Sequence, residues 1–178
     1  RGINDFLADA ACEEPEAIHA MLRIAAGQAA RFAVLQVEAG ADIIGIGDAA
    51  TSLISPDMFR EYALPYQKRI VEAVHAAGGK TKLHICGNTT NVLPLMLETG
   101  TDIIDLDWMV DLKRARALAE GKNVVYSGNY DPVAVLLQGT PERVREAVLS
   151  CAAICPDRYI SSAGCEVPRD TPPQNLLA

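Results

Sequence analysis

Residues 81–107 read TKLHICGNTTNVLPLMLETGTDIIDLD. The stretch opens on a β-branched run, Thr81–Cys86, and turns at Gly87. It then passes through an apolar helical run from Val92 to Glu98, which stops at Gly100. A second β-branched run follows, Thr101–Asp107. Strand, helix and strand so closely spaced make a βαβ unit with parallel strands.

The same alternation continues on both sides. Ala41–Gly47 (ADIIGIG) comes before, and Asn123–Asn129 (NVVYSGN) and Arg158–Gly164 (RYISSAG) come after. Helices are predicted over Ser55–Ala77, Asp111–Ala119 and Pro141–Cys155, and the opening stretch 1–28 also reads as helix. Pro56 and Pro141 stand in first-turn positions behind Ser55 and Thr140 as N-caps. Gly40, Gly78, Gly79 and Gly100 mark helix ends. No linker or low-complexity segment interrupts the pattern, so residues 1–178 read as one domain.

Two α/β architectures fit alternating strands and helices. A doubly wound sheet should show a glycine-rich phosphate turn, but GIGDAA (Gly45–Ala50) lacks its third glycine. A (β/α)8 TIM barrel instead gathers polar residues at the carboxyl ends of successive strands. Asp48, His84 with Cys86, Asp105 with Asp107, Asn129 with Asp131, and Cys165 with Glu166 follow that rule. Closure takes eight strands and about 250 residues. Five βα units therefore predict the C-terminal portion of a barrel. Its N-terminal units would come from a larger parent protein, or its exposed strand edges would pair between chains in a homo-oligomer.

Composition removes several functions. The chain carries 16 Lys+Arg against 23 Asp+Glu and only 5% aromatics, so it offers no basic, aromatic-laced nucleic-acid groove. Its apolar runs are cut well short of a membrane span. Five scattered cysteines do not make a secreted disulfide framework, and a reducing cytoplasm is the expected compartment.

His84 and Cys86 stand at i and i+2 on one strand and share a face. Cys165 ends a later strand at the same rim. Two thiolates and one imidazole suit tetrahedral zinc, and three protein ligands leave a catalytic fourth position open. Taken singly, each of these residues also fits a buried core role. Cys151 and Cys155, at i and i+4 among apolar neighbours, read as core-facing. Cys12, His19 and His75 receive no role. Asp48 suits substrate contact or a loop cap. Asp107 could complete a metal shell or orient its histidine. Asp131 suits a cap for the helix after Pro132, and Trp108 a pocket wall or core.

In order, the phrases GADIIGIGDAATSLISPDMFREYALPY (40–66), KLHICGNT (82–89), DIIDLDWMVDL (102–112), YSGNYDPVAVL (126–136) and SSAGCEVPRDTPPQNL (161–176) resemble the uroporphyrinogen decarboxylase superfamily. Within it, the decarboxylases have a serine after the first Asp and a histidine in the closing turn. Ala49 and Cys165 occupy those positions here. The methylcobamide:thiol branch, which includes the coenzyme M methyltransferases, is marked by His-x-Cys and a distant Cys, as in His84-Ile85-Cys86 and Cys165. The resemblance implies zinc on those three residues, with Asp107 as a possible fourth ligand. It also implies Asp48 and Asn129 at the substrate, with Asp48 and Asp107 in the catalytic machinery. The expected chemistry is methyl transfer from a methylated corrinoid, delivered by a corrinoid protein, to a small thiol. The alternatives are a porphyrinogen decarboxylase, a corrinoid- or folate-linked demethylase, and a non-catalytic fragment.

Overall fold

Strand β2 (Lys80–Ile85) sorts the two faces of the sheet by its alternation. Thr81, Leu83 and Ile85 are fully buried, whereas Lys82 and His84 stay half-buried on the opposite side. This computed structural model describes residues 3–12 and 15–178. The expected N-terminal helix is described as α1 (Ile3–Cys12) and α2 (Pro15–Glu38); residues 1, 2, 13 and 14 and the side chain of Cys12 lie outside the described part.

Strands β1 (Ile43–Gly47), β2, β3 (Ile103–Leu106), β4 (Val125–Ser127) and β5 (Tyr159–Ile160) lie side by side in chain order, and every pair is parallel. A doubly wound sheet would reverse its order at a switch point. Strictly sequential pairing is instead the progression of a barrel wall. The chain is thus an α/β five-stranded portion of a TIM-barrel-type fold, and β1 and β5 bound it without pairing to each other.

Crossovers lead through α3 (Pro56–Tyr62), α4 (Leu64–Ala76), α5 (Leu93–Glu98), α6 (Leu112–Leu118) and α7 (Pro141–Ile154). Phe59, Leu83, Ile85, Leu93, Met96, Ile104, Leu106, Ala115 and Tyr126 fuse into one core between these helices and the sheet. Each large aliphatic buried there contributes about 1.5–3 kcal/mol. Cys155 belongs to this core and Cys151 packs on it, as their apolar neighbours predicted.

Some boundaries differ from the sequence reading. The helix expected over Ser55–Ala77 is two helices, because Pro65 has no N–H to bond back to Glu61. Ser55 does cap α3, accepting from Met58 N, and Thr140 caps α7, accepting from Arg143 N. The strand read over Asn123–Asn129 ends at Ser127, where Gly128 turns to φ 108°. The Arg158–Gly164 strand contracts to Tyr159–Ile160, with one isolated parallel bridge between Tyr130 and Ala163.

At the amino end of the sheet, Asp102 gathers His75 Nε2 (2.7 Å), Lys80 Nζ (2.9 Å) and the Thr81 N–H (2.9 Å). His75 thereby staples α4 to the start of β3. Burial alone would raise the Asp102 pKa; hydrogen bonds from Lys80, His75 and Thr81 overcome it and lower the group to about 2. A depressed carboxylate stabilises the fold above its unfolded pKa and loses that contribution as pH falls towards the folded value. Asp102→Asn should therefore cost about 2 kcal/mol at pH 7 and much less near pH 2. Urea melts of both proteins at the two pH values check this.

Candidate metal centre

The parallel register sets His84 abreast of Gly47 on one side and Asp105 on the other. Its Nδ1 lies 3.0 Å from the Asp105 carbonyl oxygen. A carbonyl can only accept, so Nδ1 carries the proton and Nε2 presents a lone pair. That lone pair faces Cys86 Sγ at 3.3 Å and Cys165 Sγ at 3.9 Å, and the two sulfurs are 3.8 Å apart. All three side chains are half-buried, and their ligand atoms lie within 4.8 Å of one another.

These separations fit one ion at the centre. A tetrahedral zinc, with sulfur at about 2.3 Å and nitrogen at about 2.0–2.1 Å, sets its sulfurs about 3.8 Å apart and sulfur from nitrogen about 3.6 Å apart. The electrostatics agree. Burial pushes the Cys86 thiol up, and the neighbouring Cys165 thiol and Asp107 carboxylate push it further. Donors that oppose one another's ionisation are relieved by a cation among them.

Two close contacts hold the triad. Gly87, with φ 84°, turns the chain straight after Cys86 and donates its N–H to Asp107 Oδ2 at 2.7 Å. Gly164 is pressed against the Trp108 backbone, and a Cβ there would collide with Trp108 N and Cα. Its N–H donates to the Tyr130 carbonyl at 2.8 Å. Cys165 consequently lies in the loop beyond β5, and not on the strand end expected for it.

The other expected site residues line the same rim. Asp107 is buried and spends its carboxylate on backbone, accepting from Gly87 N–H and, at 3.0 Å, from Met109 N–H. It stands outside the group of three ligand atoms. Asn129 uses its side-chain N–H groups on the carbonyls of Asp107 (3.0 Å) and Val110 (2.6 Å). Asp48 follows β1; burial raises its pKa, and Gln67 Nε2 donates to its Oδ2 at 2.9 Å. Asp131 caps the π-helical turn Pro132–Leu137, accepting from Val133 N–H and Ala134 N–H. Trp108 is exposed at the rim. Sequence reasoning missed Gln67 and Lys82, whose partners are distant in the chain. It also missed Gly164, for which the glycine directly before Cys165 was the available signal.

A strand-end rim carrying a His-Cys-Cys cluster that could hold a metal ion places the chain among barrel-type α/β proteins. The profile of the uroporphyrinogen decarboxylase (URO-D) family matches residues 1–178, and the chain belongs to that family. It is 45% identical over 147 residues to "Methylcobamide:CoM methyltransferase MtbA" of Methanosarcina mazei, a match covering 82% of this chain and 42% of the relative. Identity to "Uroporphyrinogen decarboxylase" of Gloeobacter violaceus is 32% over 167 residues, covering 93% of this chain and 47% of that protein. A solved "methyltransferase from Methanosarcina mazei" superposes with TM-score 0.87 at 25% identity, over 98% of this chain and 51% of that one. The chain thus spans about half the length of the relatives it matches, or slightly less.

Three substitutions probe the centre. Cys86→Ser and Cys165→Ser should each strip zinc from the purified full-length protein, read by elemental analysis; unchanged zinc in both would remove the site. Gly164→Ala should cost about 1–3 kcal/mol through overpacking and weaken zinc retention, since the new Cβ displaces the Cys165 loop.

Proposed function

We propose that the full-length protein is a zinc-dependent methyltransferase that transfers a methyl group from a methylated corrinoid to a small thiol of the coenzyme M type. The carrying observation is the triangle of His84 Nε2, Cys86 Sγ and Cys165 Sγ at the strand-end rim, with sides of 3.3, 3.9 and 3.8 Å. The name of the MtbA relatives supports the substrate classes.

In this reading Cys86 and Cys165 bind as thiolates and His84 as neutral imidazole. Bound there, zinc would favour the ionised form of a thiol substrate at its open position and so supply a nucleophile near neutral pH. The substrate thiolate attacks the methyl carbon; the carbon–sulfur bond forms as the cobalt–carbon bond breaks, leaving cobalt(I). Asp48 contacts the substrate at the end of β1. Asp107 and Asn129 keep the rim loops in place by their backbone bonds, and Asp107 lies close enough to the Cys86 thiol to oppose its ionisation. The corrinoid arrives on a partner protein that docks over the rim, where Trp108 and Met109 are exposed. Residues 1–178 act as one barrel segment. Among the described residues no helix is long and apolar enough to cross a membrane. A reducing cytoplasm would keep both thiols available.

Ala49 and Cys165 favour thiol alkylation over porphyrinogen decarboxylation, because Cys165 supplies a soft ligand where a decarboxylase of the family has histidine. Full-length protein given methylcobalamin and a panel of thiols should produce cobalt(I), seen by absorbance, and release a proton when the thiol binds. Cys165→Ser should slow the reaction at least about tenfold, since a free thiol is only a few per cent ionised at pH 7. Turnover of uroporphyrinogen by zinc-loaded protein, without methylation of any thiol, would establish the decarboxylase instead.

A further inference from the structure

His84 offers Nε2 to the two thiols because its other ring nitrogen is already engaged. The engaging residue is Asp105, its register partner on β3. The Asp105 backbone carbonyl accepts a hydrogen bond from Nδ1–H, with the oxygen 3.0 Å from Nδ1, and the Asp105 carboxylate oxygen Oδ2 stands 3.6 Å from the same nitrogen. That second separation is too long for a hydrogen bond. Oδ2 is held instead by Lys82 Nζ at 2.9 Å, from the same strand and face as His84. The other oxygen, Oδ1, is buried without a hydrogen-bond partner.

We propose that Asp105, restrained by Lys82, is the positioning residue of the metal centre. This rests on the metal-binding reading of His84, Cys86 and Cys165. A buried carboxylate with an unmatched oxygen is a poor packing element, since leaving a buried polar atom unpaired forfeits its hydration without return. Its neighbours Ile103 and Ile104 show what packing alone selects on this strand. Beside His84, however, the charge has a use. The carbonyl fixes ring orientation and tautomer, while the nearby negative charge makes the imidazole a stronger donor at Nε2. The Lys82 ammonium keeps the carboxylate from drawing Nδ1–H off the carbonyl, which would change the angle at which the ring meets the two sulfurs while keeping Nε2 towards them. Asp105 and Lys82 thus separate two tasks, aiming and activating, that one carboxylate often performs at metal-bound histidines.

The two charges make opposite predictions, which a simple structural strut would not. In full-length protein, Asp105→Asn removes the activating charge and leaves the carbonyl, so the zinc dissociation constant should rise about 10–100-fold. Lys82→Gln frees the carboxylate to close on Nδ1–H, so zinc affinity should hold or tighten while the geometry at the metal changes. Competition with a chromophoric chelator reads affinity, and the visible bands of the cobalt(II)-substituted proteins read geometry. Melting the metal-free proteins separates both from folding. Equal weakening by the two variants, in step with lost thermal stability, would make the pair a strut and overturn the proposal; so would unchanged affinity in Asp105→Asn. Failure of the unsubstituted protein to bind zinc is a separate result, one that removes the metal centre itself.

Discussion

The in-register parallel pairing of β2 with β3 is the constraint on which the site depends. Parallel strands in chain order must all end at the same rim, so functional groups at their carboxyl ends become neighbours whatever their distance in sequence. The pairing of His84 with Asp105 fixes more than the backbone, because it sets a carbonyl opposite the imidazole and thereby chooses which ring nitrogen faces the thiols. A one-residue slip would send His84 to the helix-covered face, where Leu83 and Ile85 are packed. The core and the centre are therefore consequences of a single register.

Above that register, the rim is organised by polar side chains that serve backbone. Asp107 joins the turn after β2 to the turn after β3, and Asn129 joins the latter to the end of β4. These are connections between loops, the segments that would otherwise be the least restrained part of a barrel. They explain why acidic and amide side chains recur at strand ends even where they bind nothing themselves. A close approach of Gly164 to Trp108 brings in the last loop, the one that carries Cys165.

Much of this was legible in the sequence, and the limits have physical causes. The His-x-Cys pair could be read because a strand alternates sides, so i and i+2 share a face. The barrel could be read because polar residues close one strand after another. Asp107 was harder: spacing identifies a carboxylate at the rim, yet says nothing of whether it faces a metal or a peptide N–H. Cys165 was assigned to a strand end since RYISSAG has strand composition, but the ordered pairing stops at Ile160. Asp105 was visible as a polar residue at a strand end, but its contact with Lys82 joins two strands across a whole helix, and the register that unites them cannot be counted from either strand alone. The split at Pro65 was visible in the sequence and simply outweighed by the helical periodicity around it.

The two cysteines lie 79 residues apart in the chain, yet their sulfurs are 3.8 Å from each other. Between them run three strands and the helices that connect them. An ion bridging Cys86 and Cys165 would close that whole span as a single ring, and a cross-link of such length removes about 4–5 kcal/mol of chain entropy from the unfolded state. The centre would then be a clasp on the barrel wall as well as a reactive site. Two of its three donors, His84 and Cys86, come together as soon as β2 forms, whereas the third is delivered only after β3, β4 and β5 have been laid down in turn. Full coordination is in this sense a late event of folding, available only to a chain whose sheet has already been assembled in order.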